Sequence, residues 1–202
     1  MSADYWEDRA RRYGRRAAIN LDHPEGSLDR VSARHADLLL PVLATHLRGD
    51  ERAVLDLGCG PGRMTGALAA LVAGGRAIGA DPTQAMLDLA PPVTGVEYRR
   101  MEEGRLPLSD GEVDVVFTCL VLGGILAPEV LARTAAEVRR VLAPGGLVFL
   151  CESDGVAQPG IHWAARSPDD YRAAFPWAGL DAVAGFDDGG DPVAVLVGRR
   201  PG

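Results

Sequence analysis

The chain has 202 residues, 47% hydrophobic and 24% charged, which is enough for one well-buried domain and short for two. Its formal net charge of −7 and pI of about 5.1 leave no chain-wide basic surface to neutralise a phosphate backbone, which argues against a nucleic-acid partner. It contains no apolar run of membrane-spanning length, and the charged segment MSADYWEDRARRYGRR lacks the marks of a secretory signal, so a cytoplasmic protein away from membranes is expected.

Residues 3–19 carry a helical pattern on a strongly charged surface, with Tyr5, Trp6, Tyr13 and Ile19 as the bulky apolar members. Residues 20–27 read as a loop. A second helix is expected over 29–47, where Val31, Leu38, Leu39, Val42 and Leu43 recur at helical spacing and Pro41 threatens a kink. From residue 53 the rhythm becomes strand, glycine, helix. Strands are expected at 53–57, 76–80, 96–101, 113–120 and 147–151, with helices at 64–73, 83–90 and 128–142 between them. A Pro-Gly-Gly turn is expected at 144–146. Continuously apolar strands alternating with helices indicate a parallel sheet covered on both faces. After residue 152 the pattern loosens into a loop with His162 and Trp163, a short helix near 168–175, and two strands near 180–186 and 192–198. FDDGGDP between those strands predicts a hairpin and therefore an antiparallel end to the sheet. The predicted fold class is α/β, a Rossmann-like, doubly wound, mostly parallel sheet with an antiparallel C-terminal strand.

Chemistry enters at VLDLGCGPG, residues 54–62, where Gly58, Gly60 and Gly62 follow an apolar strand. A glycine loop in that place sits at the carboxyl ends of the strands, where open α/β sheets bind ligands, and the next helix aims its free N–H groups at the same spot. The following strand ends in Asp81, a carboxylate placed to accept the hydroxyls of a ribose. Together the two features point to an adenosine-type nucleoside. A dinucleotide needs a glycine where this chain has Arg63, and no Tyr-xxx-Lys pair is present, so a nicotinamide oxidoreductase is disfavoured.

With this DxGxGxG pattern the chain resembles the class I S-adenosylmethionine-dependent methyltransferases of small-molecule type, over residues 53–152 and more weakly beyond. The resemblance implies S-adenosylmethionine as cofactor and S-adenosylhomocysteine as product. It assigns Asp56, Gly58, Cys59, Gly60 and Gly62 to the first motif, Asp81 to ribose, Pro82 to adenine and Met86 to the same pocket. RRMEEGRLPL gives Met101, Glu102 and Glu103 a place at the adenine edge, and Cys119 and Leu120 close the fourth strand beside the methionine moiety. The segment VLARTAAEVRRVLAPGGLVFLCE is similar to the family's fifth helix-turn-strand. Tyr13 and Arg16, in an aromatic and basic leader like that of many relatives, are implied contacts of the methionine carboxylate. The single methyltransferase domain is expected to comprise a helical lid, 1–47, and a cofactor-binding core, 53–202, with 153–167 bordering the substrate.

Departures from the family are informative. Neither the Asn/Asp-Pro-Pro-aromatic signature nor a Pro-Cys nucleophile follows the fourth strand, and Gly123-Gly124 stand where many relatives carry histidine. Displacement at a sulfonium is mostly a matter of alignment, and a base is needed only for an acceptor that is protonated at working pH. The candidates for that role are His162, Glu152 and Tyr13. No His, Asp or Glu grouping has metal-ligand spacing, and the three separated cysteines suit a reducing compartment. The expected activity is methyl transfer to an oxygen, nitrogen or carbon of a small molecule or peptide. The alternatives are a cofactor-binding member of the fold that performs a cyclase-like, non-methylating step, or one that is non-catalytic. A monomer and a homodimer are equally compatible with the sequence.

Overall fold

The computed structural model describes residues 3–155 and 162–202. Positions 1–2 of the expected lid and 156–161 of the expected substrate loop lie outside the described residues. The chain divides into two compact units, residues 2–100 and 101–202.

The first unit begins with α1, Ala3–Tyr13. The helix predicted to run on to residue 19 instead breaks at Gly14, whose φ of 56° is left-handed, into a 3-10 turn over Gly14–Ala18. Arg9 ties that turn back to α1 by donating to the carbonyls of Ala17 at 2.9 Å and Ile19 at 2.8 Å. Helix α2, Leu28–His46, is continuous through Pro41. Pro41 lies on the exposed side, as does Asp37 one turn earlier, so the carbonyl left without its helical donor faces solvent rather than the core. The buried stripe is Val31, His35, Leu39 and Leu43. Leu38, predicted for that stripe, points to solvent, and His35 takes the place that strict spacing of four requires.

Strands β1, Ala53–Leu57, β2, Arg76–Asp81, and β3, Val96–Arg100, pair in parallel in the order β3-β2-β1. Leu55 stands beside Ile78, and Gly79 beside Tyr98. Helices α3, Thr65–Leu71, and α4, Gln84–Leu87, follow β1 and β2. Every residue of β1 is buried, which is why it reads as an unbroken apolar run rather than an alternating one.

The second unit holds β4, Val113–Cys119, α5, Pro128–Val141, β5, Leu142–Ser153, α6, Pro168–Ala174, β6, Asp181–Asp188, and β7, Asp191–Arg199, in the strand order β4-β5-β7-β6. β4 and β5 are parallel, while β7 runs antiparallel to both β5 and β6. The predicted hairpin is present, its turn made by Gly189 and Gly190 at φ 73° and 103°. The Pro-Gly-Gly segment is not a free turn as predicted. It is the irregular start of β5, because Gly145 N–H donates to the Arg200 carbonyl at 3.0 Å and Arg200 N–H donates to Gly146 at 2.9 Å. Helix α5 buries Val130, Leu131, Thr134, Ala135, Val138 and Val141 and turns its charges outward. Its Arg140 grips the preceding LPLSDGE loop through the carbonyls of Leu106 and Leu108 and the carboxylate of Asp110. No described helix is long and apolar enough to cross a membrane. Helices interleaved with mostly parallel strands, ending in antiparallel ones, make the Rossmann-like α/β architecture that the sequence predicts.

Candidate functional site

In the first unit, β1 delivers the chain into a loop that turns because three of its glycines occupy the left-handed region. Gly58, Gly60 and Gly62 have φ of 71°, 53° and 72°, a conformation costing a residue with a Cβ about 1–2 kcal/mol. The loop is stitched to β2. Gly58 and Cys59 N–H both donate to the Ala80 carbonyl, at 2.7 and 3.2 Å, and Gly60 N–H donates to Asp81 Oδ2 at 2.9 Å. The other Asp81 oxygen accepts Thr83 N–H at 2.8 Å. Asp81 is only 8% exposed, and burial raises its carboxyl above the ordinary value against the pull of hydrogen bonds from Thr83 and Gly60. Asp56 is buried and accepts the Thr65 hydroxyl at 2.6 Å, which fixes the start of α3. Burial also pushes the Cys59 thiol well up.

Two glycines answer to a side chain rather than to open space. A Cβ on Gly62 would lie 2.2 Å from Tyr98 Oη, and one on Gly79 would lie 2.7 Å from Tyr98 Cδ1 and 2.9 Å from Cys59 Sγ. Tyr98, from β3, therefore fills the space beneath the loop. Sequence reasoning missed it, although a glycine in mid-strand, Gly79, is the signal for such a close approach. At Gly60 a Cβ would meet only Ala18, at 3.5 Å.

The N-terminal segment packs on the same region. Met86 is buried with Ala10 and Ala17, and Trp6, Tyr13 and Ala85 pack against them. Glu7 Oε1 accepts the N–H groups of Gln84 at 2.8 Å and Ala85 at 3.4 Å, so α1 caps the first turn of α4. Nothing local in the sequence announces a cap supplied from so far along the chain. Tyr13 is half-buried, with the Arg12 guanidinium 5.2 Å from its ring centre. Arg16 donates through Nη2 to the carbonyls of Leu21 at 3.0 Å and His23 at 2.7 Å. Pro82 is half-buried at the start of the turn into α4.

In the second unit Met101 is buried, while Glu102 and Glu103 are exposed and the Glu102 carbonyl accepts the Arg105 N–H at 3.0 Å. At the carboxyl end of β4, Cys119 is half-buried and Leu120 adopts φ 57°, the one positive value outside glycine among the described residues. A 3-10 turn, Leu122–Gly124, follows. Glu152, fully buried on β5, accepts the Thr118 hydroxyl at 2.7 Å, Val121 N–H at 3.0 Å and Leu122 N–H at 3.0 Å. Its carboxyl is raised to about 7 by burial, against those same hydrogen bonds. Trp163 sits directly on Gly123, where a Cβ would fall 2.3 Å from its ring, and its N–H donates to Ser153 Oγ at 2.9 Å. His162 is half-buried beside it. Gly123 is thus glycine because an indole occupies the place a side chain would need. Arg166, which sequence reasoning also missed, is buried and donates to the carbonyls of Leu122, at 2.7 Å, and Ile125.

Residues 54–146 match the family model described as a methyltransferase domain. An N-demethylindolmycin N-methyltransferase of Streptomyces griseus is 33% identical over 73% of this chain and 63% of its own length. A probable methyltransferase of Aspergillus luteorubrus is 34% identical over 62% of this chain and 46% of its own. This chain spans less than two thirds of the length of the curated relatives it matches first. Among solved structures, the magnesium protoporphyrin IX methyltransferase of Synechocystis with bound S-adenosylhomocysteine has the same fold, with a TM-score of 0.70 over 98% of this chain and 97% of that one at 18% identity. Residues 54–146 thus carry a methyltransferase domain, and the first-motif glycine loop, the β2 carboxylate and the α/β fold are those that the class I S-adenosylmethionine-dependent methyltransferases share.

Proposed function

We propose that this chain transfers a methyl group from S-adenosylmethionine, by direct displacement, to an oxygen, nitrogen or carbon acceptor on a small molecule or peptide. The observation that carries the reading is Asp81, a buried carboxylate at the carboxyl end of β2 bonded at once to the glycine loop, through Gly60, and to the entry of α4, through Thr83. A carboxylate has about four acceptor positions, so Asp81 keeps capacity for a hydroxyl donor after both backbone bonds and the Thr83 side-chain bond are made. The left-handed glycines and the apolar cluster around Met86 suit the rest of such a nucleoside.

When bound, S-adenosylmethionine supplies an electrophilic methyl group on a sulfonium, and S-adenosylhomocysteine remains. Asp81 would hold the ribose, with Pro82 and Met86 toward the adenine. Asp56, Gly58, Cys59, Gly60 and Gly62 would cradle the amino-acid end, with Tyr13 and Arg16 on its carboxylate. Residues 1–47 would serve as the lid, a reading supported by the Glu7 cap on α4 and by Ala18 against Gly60. Of the candidates for proton removal, His162 and Tyr13 remain where the acceptor needs a base, since Glu152 spends its carboxylate on Thr118, Val121 and Leu122. A second reading, a family member that binds the cofactor without methylating, is favoured by Trp163 occupying the space over Gly123.

Isothermal titration with S-adenosylhomocysteine tests the first reading. The wild-type chain is expected to bind in the micromolar range, and Asp81→Ala to weaken binding by at least about tenfold. A folded wild-type chain that does not bind refutes the proposal. Product analysis with methyl-labelled cofactor separates the second reading.

A further inference from the structure

The turn after β4 is held from two sides by charges of opposite sign. Leu120 stands at the carboxyl end of that strand, the end at which parallel α/β sheets bind ligands. Its left-handed φ of 57° costs a leucine about 1–2 kcal/mol, so the surroundings must impose it. Leu120 N–H donates to the Cys151 carbonyl at 2.8 Å. The next two N–H groups, of Val121 and Leu122, are both taken by the Glu152 carboxylate, whose second anchor is the Thr118 hydroxyl. On the acceptor side of the same turn, Arg166 donates to the carbonyls of Leu122 and Ile125, and Ala164 N–H donates to the Gly123 carbonyl at 2.8 Å. An anion thus takes the turn's donors while a cation takes its acceptors, and both are buried. Hydrogen bonds with one ionised partner are roughly twice as strong as neutral ones.

We propose that Glu152 and Arg166 are positioning residues that fix the Leu120–Ile125 turn at the carboxyl end of β4, so that Glu152 acts through the turn rather than on a substrate. The inference rests on the methyltransferase reading for what the turn presents, an acceptor-side wall of backbone and the Trp163 indole. The carboxylate is the half of the clamp that can be switched off. Protonated, Glu152 loses its charge and gives up an acceptor position to its own O–H, so its hold on Val121 and Leu122 weakens. Burial brings that protonation to about pH 7. The titratable and charged groups around Glu152 are Cys119 on β4, Cys151 on β5, Arg166, and Tyr171 on α6, with Asp170 beside Tyr171 and Asp188 of β6 beside Cys151. The Cys151 thiol and the Tyr171 phenol are themselves raised by their surroundings, so neither ionises in the range where Glu152 does.

Trp163, seated on Gly123, is a built-in reporter. The chain is labelled with 5-fluorotryptophan and its three tryptophan resonances followed by fluorine NMR from pH 5 to 9, with Trp163→Phe assigning the reporter. The expected result is a Trp163 shift with a midpoint near 7 that disappears in Glu152→Gln. In that variant, amide exchange at Val121 and Leu122 accelerates at least about tenfold while β1–β3 are unchanged. Thr118→Val, which keeps the carboxylate and removes one donor, moves the midpoint upward and serves where Glu152→Gln does not fold. A pH-independent Trp163 resonance in the wild type, or a titration that survives unchanged in both variants, overturns the inference. Titration of the wild type with S-adenosylhomocysteine reports separately on the methyltransferase reading. Binding with a silent Trp163 sinks the clamp alone, and a responsive Trp163 without binding sinks the reading beneath it.

Discussion

Replacing Gly62 by alanine separates two reasons for a glycine in the first-motif loop. The new Cβ enters at φ 72°, which costs about 1–2 kcal/mol regardless of neighbours. It also starts 2.2 Å from Tyr98 Oη, 2.9 Å from Cζ and 3.0 Å from Cε1, so the ring must retreat by more than an ångström. Overpacking of that kind costs about 1–3 kcal/mol, and the expected total is about 2–5 kcal/mol. The assay is urea unfolding of the cofactor-free chain, followed by circular dichroism, in wild type, Gly62→Ala, Tyr98→Ala and the double variant. With the ring gone only the backbone cost remains, so the coupling is expected near 2 kcal/mol. Tyr98→Phe removes the nearest atom alone and is expected to recover part of that coupling. If Gly62→Ala costs the same with and without the Tyr98 ring, the packing account is wrong and the glycine serves backbone conformation or ligand approach only.

The remaining predictions concern the second unit. Glu152 favours its protonated form in the folded chain, so the folded state holds more protons than the unfolded one between its ordinary value of 4.5 and about 7. Stability therefore falls as pH rises through that window and levels off above it. At about 1.4 kcal/mol per pKa unit the loss approaches about 3 kcal/mol. Glu152→Gln is expected to flatten this slope in urea midpoints measured from pH 5 to 8, and an unchanged slope refutes the assignment. Gly123→Ala would place a Cβ 2.3 Å from the Trp163 ring, evict the indole from Ser153 and cost about 2–4 kcal/mol. Tryptophan emission should shift to the red, and Trp163→Ala should relieve most of the penalty.

The order of strands and helices was legible because burial writes itself locally. β1 and β4 are nearly all buried and so nearly all apolar, and the turn glycines fall where the chain must reverse. The loop glycines and Asp81 were legible for the same reason, as residues at the carboxyl ends of two successive apolar strands, β1 and β2. What escaped depends on partners distant in sequence. Tyr98 explains Gly62 and Gly79, Trp163 explains Gly123, Glu7 caps a helix that begins at Gln84, and Arg166 reaches the carbonyl of Leu122. Leu38 was misread because counting apolar residues cannot tell which side of α2 meets the core. The buried histidine at position 35 carries the stripe that leucine composition obscured.

Asp81 and Glu152 make the same point in chemical terms. Each is a buried acid at the carboxyl end of a strand, each is pushed up by desolvation, and each anchors a turn through backbone N–H groups. By residue type alone either could be assigned to a ligand or to proton transfer. Their remaining acceptor capacity separates them. Glu152 spends its oxygens on Thr118, on Val121, whose N–H reaches both of them at 3.2 and 3.0 Å, and on Leu122, and has no exposed surface left. Asp81 accepts one backbone N–H on each oxygen and a side-chain hydrogen bond from Thr83, and keeps 8% of its surface open. A carboxylate offers about four acceptor positions, so Asp81 can still meet a hydroxyl donor where Glu152 can only hold its turn. A strand-end acid is available for chemistry only to the extent that the adjoining turn has not already claimed it.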